Sequence, residues 1–347
     1  MPLLDVANLN LFLRTSRSTV QALRNVSFKL ERGAALGLIG ESGCGKSLTA
    51  LALMGLLPGN ASLTGSVRMD GRELLEQSQA QWRALRGNRF AMIFQEPMTA
   101  LNPVHTIAHQ VAEPMRLHQG MDRQAARKAA IALLERVGIA SASVRADDYP
   151  HQFSGGQRQR ITIAMALACQ PDLLIADEPT TALDVTVQQQ ILDLIADLVV
   201  ERNMALILIS HDLGVISQNV DDILVMYGGQ VLESGPTEAI FRHMGHPYTR
   251  GLLASRPWLN APRQPSGKPH ALYTIAGNVP KLADLPRGCP FAGRCPFTQT
   301  ECHTEVPYRI AMPSFLPHEV PYSSLGAHHV RCLRPEAMRA GNTKGWI

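Results

Sequence analysis

Residues Gly40, Glu41, Ser42, Gly43, Cys44, Gly45, Lys46 and Ser47 spell a complete phosphate-binding loop directly after the apolar run Ala34 to Ile39. The glycines at 40, 43 and 45 let the backbone turn inward. Successive amide N–H groups and the dipole of the following helix then converge on a polyphosphate. Lys46 would reach the β- and γ-phosphates, and the Ser47 hydroxyl would meet Mg²⁺. A second chemical element is the apolar strand Leu173 to Ala176, which ends in Asp177 and Glu178. In phosphate-loop enzymes an acid at this place orders the Mg²⁺ shell, which suits Asp177 and leaves Glu178 to polarise an attacking water. The blander alternative is that both acids cap the following turn. A third element is Phe153-Ser154-Gly155-Gly156-Gln157 before the helical run Arg158 to Ala168, a further helix N-terminus suited to phosphate. One nucleotide does not need two such sites in one chain.

The elements that must position these residues read clearly. Leu3 to Leu30 predicts two strands, with Val26, Phe28 and Leu30 alternating against polar residues. Leu48 to Leu56 predicts a helix, Ser66 to Met69 a strand and Phe90 to Phe94 a short buried strand. From Met98 to about Arg160 the pattern turns helical and more polar, which predicts a helical insertion. The runs Leu173 to Ala176, Ala205 to Ile209 and Ile223 to Met226 predict parallel strands buried on both faces, with a crossover helix over Val187 to Val200. Gly228-Gly229 predicts a hairpin turn into Gln230 to Glu233. After about His246 proline becomes frequent, Pro257 to Pro269 has linker character, and the tail reads as a smaller unit.

At 347 residues and 45% hydrophobic, the chain can bury a full core in one large or two moderate domains. A net charge of +4 with scattered Lys and Arg does not resemble a nucleic-acid stripe. No apolar run approaches the roughly 20 residues needed to cross a bilayer. The N-terminus Met-Pro-Leu-Leu-Asp-Val lacks the layout of a signal peptide, so a cytosolic protein is expected. Cys44 and Cys169 read as small buried thiols. Cys289, Cys295, Cys302 and Cys332 crowd the tail, separated by five, six and twenty-nine residues. In a reducing compartment that favours metal over disulfides, although close Cys-x-x-Cys pairs are absent.

Taken with the Ser154 to Gln157 signature, the chain resembles the nucleotide-binding subunit of an ATP-binding cassette (ABC) transporter over about residues 3 to 245. The resemblance implies an α/β fold: an ABC-type phosphate-loop core with an antiparallel β subdomain and a helical subdomain at about 98 to 160. It further implies that Ser154, Gly155, Gly156 and Gln157 grip the γ-phosphate bound to an opposing subunit. Gln95 matches the family's glutamine loop, which touches Mg²⁺ or water and senses the membrane partner. Ala182-Leu183-Asp184 matches the dimer-contacting loop, and His211 the switch histidine at the γ-phosphate. Family members usually stack adenine on an aromatic where this chain has Leu13, with Phe12 beside it.

The tail narrows the resemblance. His246 to Leu253, Ile275 to Pro280, Gly288 to Phe291 and Arg294 to Pro296 are similar to the C-terminal extension of bacterial oligopeptide, dipeptide and nickel importers. An irregular extension over 246–347 is therefore expected to follow a nucleotide-binding domain over 1–245. In related peptide importers the tail cysteines are understood to hold a [4Fe–4S] cluster; zinc, or unmetallated thiols, are the alternatives here, with His328 and His329 as substitute ligands. The resemblance implies an ATPase using ATP and Mg²⁺ at the cytoplasmic face of the bacterial inner membrane, peripheral to it. Its implied partners are a second ATPase subunit, expected to be a paralogue, two permease subunits and an extracytoplasmic solute-binding protein, with no nucleic acid. Peptides are the first expected cargo, nickel or another small solute the second. The rival is a soluble ABC ATPase acting on nucleic acid or ribosomes, against which stand the single cassette and the roughly hundred residues between loop and signature.

Overall fold

Five consecutive buried residues, Ala35 to Ile39, set the architecture, because a strand with no solvent-facing side must be covered on both faces. The structure, a computed structural model, describes residues 1–16, 18–95, 100–181, 183–255, 274–312 and 323–335. Its strands in chain order are β1 (Leu4–Arg14), β2 (Thr19–Leu30), β3 (Ala35–Ile39), β4 (Ala61–Met69), β5 (Arg72–Glu73) and β6 (Phe90–Ile93). They continue with β7 (Leu173–Asp177), β8 (Ala205–Ile209), β9 (Asp222–Tyr227), β10 (Gln230–Pro236), β11 (Ile310–Ala311) and β12 (His329–Val330). A four-stranded antiparallel sheet runs β2-β1-β4-β5, and an eight-stranded sheet runs β11-β12-β10-β9-β3-β8-β7-β6.

Strands β6, β7, β8, β3 and β9 are mutually parallel, so their carboxyl ends share one edge. Chain order reverses on either side of β3, which is where open parallel sheets place their ligands. Alternation along β8 divides the interior. Leu206 and Leu208 face a core with the helix Val185–Arg202, whereas Ala205, Ile207 and Ile209 face a second core with the antiparallel sheet and the helix Lys46–Leu53. Truncating one of these leucines to alanine would cost about 2–5 kcal/mol through lost transfer energy and a residual cavity.

The helical region after β6 contains Ile107–His118, Arg123–Arg136, Ala142–Arg145 and Gly155–Leu167. The expected start of this insertion at Met98 lies outside the described residues, as does the linker Pro257 to Pro269. The C-terminal residues add β12 and β11 to the edge of the core sheet, with Glu233 opposite Val330 and Ile310 opposite Val330 on its other side. The wholly buried Glu233 carboxylate anchors this join: it accepts from the N–H groups of Gly245 and His246, from the Thr249 hydroxyl and pairs with His328.

Candidate nucleotide site

The loop after β3 does what its glycines permit. Gly40 has φ +148° and lies so close to Met226 that an added Cβ would stand 2.2 Å from its carbonyl oxygen. Gly43, at φ +79°, faces open space, so the lip of the loop is clear for a ligand. Ser42, Gly43 and Ser47 are exposed, while Cys44, Gly45 and Lys46 are buried. The Lys46 ammonium donates to the carbonyls of Gly40 (2.7 Å) and Glu41 (3.1 Å) and lies 3.7 Å from the Cys44 sulfur. It is thus folded back across the loop it must serve.

Beside it, Asp177 ends β7 and is 5% exposed. Burial pushes its carboxyl above the usual range, opposed by a hydrogen bond from the Ser47 hydroxyl, reinforced by the Glu178 charge and opposed again by Lys46. Its Oδ1 is buried with no hydrogen-bond partner among the described residues. An orphaned carboxylate oxygen next to a hydroxyl is a hard-oxygen donor set of the kind Mg²⁺ takes, so these residues fit that ion.

Glu178 follows at φ +48°, a left-handed conformation that is costly for a non-glycine residue and is held by its N–H donating to the Ile209 carbonyl at 2.9 Å. Its Oε2 gathers three side chains: Gln95 Nε2 donates at 3.1 Å, Thr181 Oγ1 donates at 2.9 Å, and His211 Nδ1 stands at 3.4 Å. Parallel strands make this possible. Gln95 leaves β6, Glu178 leaves β7 and His211 leaves β8, three neighbouring strands ending at one edge. Sequence pattern does not single out Thr181; its one signal is a hydroxyl three residues after the acid, across a turn.

Ser154 caps the helix Gly155–Leu167 by accepting from Gln157 N–H, and the Gln157 side chain returns the contact to Ser154 N–H. Ser154 and Gly155 are exposed. A Cβ on Gly156 would meet Val187 at 2.8 Å, so glycine there lets the two helices approach. Among the described residues no hydrogen bond joins 154–157 to 40–47. Asp184 is exposed and caps the helix Val185–Arg202 through Val187 N–H; its neighbour Ala182 lies outside the described residues. Phe12 sits within the antiparallel sheet opposite Gln21 and Ser62, and Leu13 packs partly buried against the core.

The tail cysteines require a correction. Cys289, Cys295, Cys302 and Cys332 do line one cavity, of about 20 Å³, together with His246. Yet no group of three or more His, Cys, Asp or Glu side chains among the described residues is arranged to hold a metal ion, so the expected iron–sulfur or zinc site is not supported. Burial also pushes the Cys289 thiol up to about 12 and raises Cys295, so a metal would have to displace those protons to bind. His328 is committed to Glu233 and His329 to Arg309, so neither supplies a ligand.

Comparison with known proteins places the chain in a family. Residues 23–181 match the family model described as ABC transporter, and residues 232–302 that of the oligopeptide/dipeptide transporter, C-terminal region. A Brucella melitensis protein provisionally named a peptide import ATP-binding protein is 45% identical, over 98% of this chain and 99% of its own length. The oligopeptide transport ATP-binding protein OppD of Haemophilus influenzae is 48% identical over 87% of this chain and 91% of its own. Among solved structures, the ATP-binding cassette MJ0796, a dimer in a post-hydrolysis state with ADP and Pi, superposes with a TM-score of 0.61. It is 26% identical and covers 67% of this chain and 98% of its own. The chain belongs to the ABC transporter family, among the ATP-binding subunits of its oligopeptide/dipeptide branch.

Proposed function

We propose that this chain hydrolyses ATP to power the import of peptides through a membrane permease. The observation that carries the reading is the convergence of Gln95, Thr181 and His211 on one oxygen of Glu178, beside Lys46, Ser47 and Asp177. The oligopeptide/dipeptide match over residues 232–302 and the names of the relatives supply the cargo class.

In this reading ATP enters along the exposed lip at Ser42 and Gly43, and Lys46 transfers its hydrogen bonds from the loop carbonyls to the phosphates. Mg²⁺, held by Ser47 and Asp177, supplies electrostatic screening of the phosphate oxygens when bound. Glu178 accepts a hydrogen bond from the attacking water. Thr181 and Gln95 hold its oxygen against rotation, and His211, 3.4 Å from the same oxygen on a side chain 70% exposed, can turn to the γ-phosphate. The exposed Ser154–Gly155 helix start is presented to the nucleotide of a second ATPase subunit, with Asp184 along the same contact. This leaves each site incomplete without its partner.

Residues 1–245 would form the nucleotide-binding body and 246–347 the extension. The permease would dock at the cleft of about 320 Å³ in the helical region, lined by exposed Val104 and Tyr149 with Arg116, Arg123 and Arg127. Its single acid, Asp147, is already paired with Arg127, so the cleft suits an apolar segment carrying acidic residues. No helix among the described residues is long and apolar enough to cross a membrane. The chain would therefore attach peripherally at the cytoplasmic face through two permease subunits, fed by an extracytoplasmic binding protein, with the second ATPase a paralogue. The test is uptake of labelled dipeptides and tripeptides, with nickel in parallel, in cells whose only copy carries Glu178→Gln. Loss of peptide uptake alone supports the reading; unchanged peptide uptake overturns it.

A further inference from the structure

Glu41, the second residue of the phosphate loop, is held from three directions. Its N–H donates to the Tyr248 hydroxyl at 2.7 Å. Its carboxylate takes a forked pair of hydrogen bonds from Arg294, at 2.5 Å and 3.1 Å. Its carbonyl accepts from Lys46. Two of the three anchors come from the C-terminal segment, Arg294 from 253 residues away. Arg294 is itself immobilised: its side chain is 7% exposed, and it donates to the carbonyls of Ala276 and Ile275 and to the Tyr227 hydroxyl. Tyr248 is wholly buried and packs with Tyr227 and Phe291 at ring separations of 4.8 and 5.2 Å.

This contact has an electrostatic consequence. A carboxylate in a loop that receives a polyphosphate repels its ligand unless a cation neutralises it, and a loop whose carbonyls must release Lys46 has to keep its shape when they do. We infer that Arg294 and Tyr248 are positioning residues for ATP: Arg294 cancels the Glu41 charge and Tyr248 fixes the Glu41 backbone, so that the extension pre-forms the phosphate loop. The inference rests on ATP binding at this loop. It goes beyond it by giving the tail a direct part in nucleotide affinity.

The test compares full-length wild type with Arg294→Gln, Arg294→Lys, Tyr248→Phe and the pair Arg294→Gln with Glu41→Gln. Readouts are ATP affinity by competition against a fluorescent ATP analogue, and KM and kcat for phosphate release. Removing a buried, charge-assisted pair beside a polyanion is expected to raise KM and Kd about tenfold in Arg294→Gln. The expected kcat stays within about twofold, because the groups on Glu178 are untouched. Arg294→Lys restores part of the affinity, and removing the Glu41 charge in the double variant restores more. Tyr248→Phe, which deletes one hydroxyl and keeps the packing, raises KM about threefold. An unchanged KM in both Arg294→Gln and Tyr248→Phe overturns the inference. So does a double variant no better than Arg294→Gln, which would make the pair merely structural. Failure of wild type to bind the analogue is a different result, and removes the ATP reading itself.

Discussion

Replacing Glu178 by glutamine isolates the chemical step from everything else in the site. The amide is isosteric with the carboxylate, and its oxygen can still accept from Gln95 Nε2 and Thr181 Oγ1, now at 3.1 and 2.9 Å. The left-handed backbone at φ +48° stays held by the Ile209 carbonyl. Folding should therefore change by no more than about 1 kcal/mol, the worth of one weakened hydrogen bond. Lost basicity toward the attacking water should lower kcat by about a hundred- to ten-thousand-fold, the usual range for a positioned proton acceptor. Binding should move the other way or not at all. The Glu178 charge raises the Asp177 carboxyl next to it, so deleting that charge leaves a better partner for Mg²⁺. Single-turnover phosphate release together with an equilibrium titration of ATP separates the two quantities. Adding Gln95→Ala to Glu178→Gln should cost little more than Glu178→Gln alone, because both act through the same oxygen. A kcat within tenfold of wild type, or an affinity loss as large as the kcat loss, would refute the assignment of Glu178.

Four further outcomes follow from particular contacts. Gly40→Ala places a Cβ 2.2 Å from the Met226 carbonyl at φ +148° and should abolish ATP binding, read by loss of nucleotide-dependent thermal stabilisation. Asp177→Asn removes a carboxyl that burial raises above its unfolded value. Such a group costs folding stability as pH climbs from about 4 through its folded pKa, so at pH 7 the variant should melt about 2 °C higher without ligand and lose all Mg²⁺-ATP stabilisation. His246 is buried neutral, lowered to about 3, with Nδ1 accepting from Tyr248 N–H. The unfolded chain takes up this proton and the folded one does not, so stability should be full above about 6.5 and fall toward pH 3 by up to about 1.4 kcal/mol per unit. Denaturant titrations of His246→Asn, whose amide can keep the cap, should lack that slope. Val104→Asp, at a position 71% exposed, should weaken co-purification with the permease while leaving ATP binding within about twofold, since it touches none of the phosphate-loop residues.

The parts of this molecule that chemistry repeats locally are legible in its sequence, and the parts made by distant closure are not. Val26, Phe28 and Leu30 betray a half-buried strand by alternation, and Ala205 to Ile209 a doubly covered one by lacking it. The phosphate loop carries its conformational demand in the glycines themselves. Parallel strand order then brings Gln95, Glu178 and His211 together, so the strand ends by themselves nearly assemble the site. Thr181 escaped because a hydroxyl in a turn is common, and only the carboxylate 2.9 Å away gives it meaning. The strands Ile310–Ala311 and His329–Val330 escaped because two residues cannot show a period.

The cysteines and the Arg294 contact fail to be legible for opposite reasons. Spacing suggests that four thiols could meet, and they do line one cavity, but ligation depends on the arrangement of the side chains around a common point, which spacing cannot express. Arg294 lies in a run that resembles a family extension, yet nothing near it in sequence points to Glu41. The link exists only because Tyr227 ends β9 beside the phosphate loop and offers Phe291 and Tyr248 an aromatic floor, on which the guanidinium is carried to within 2.5 Å of the carboxylate. A tail attached in this way cannot be exchanged for another of similar composition without altering the loop that holds ATP. On that ground, residues 274–312 belong as much to the nucleotide site as to the extension.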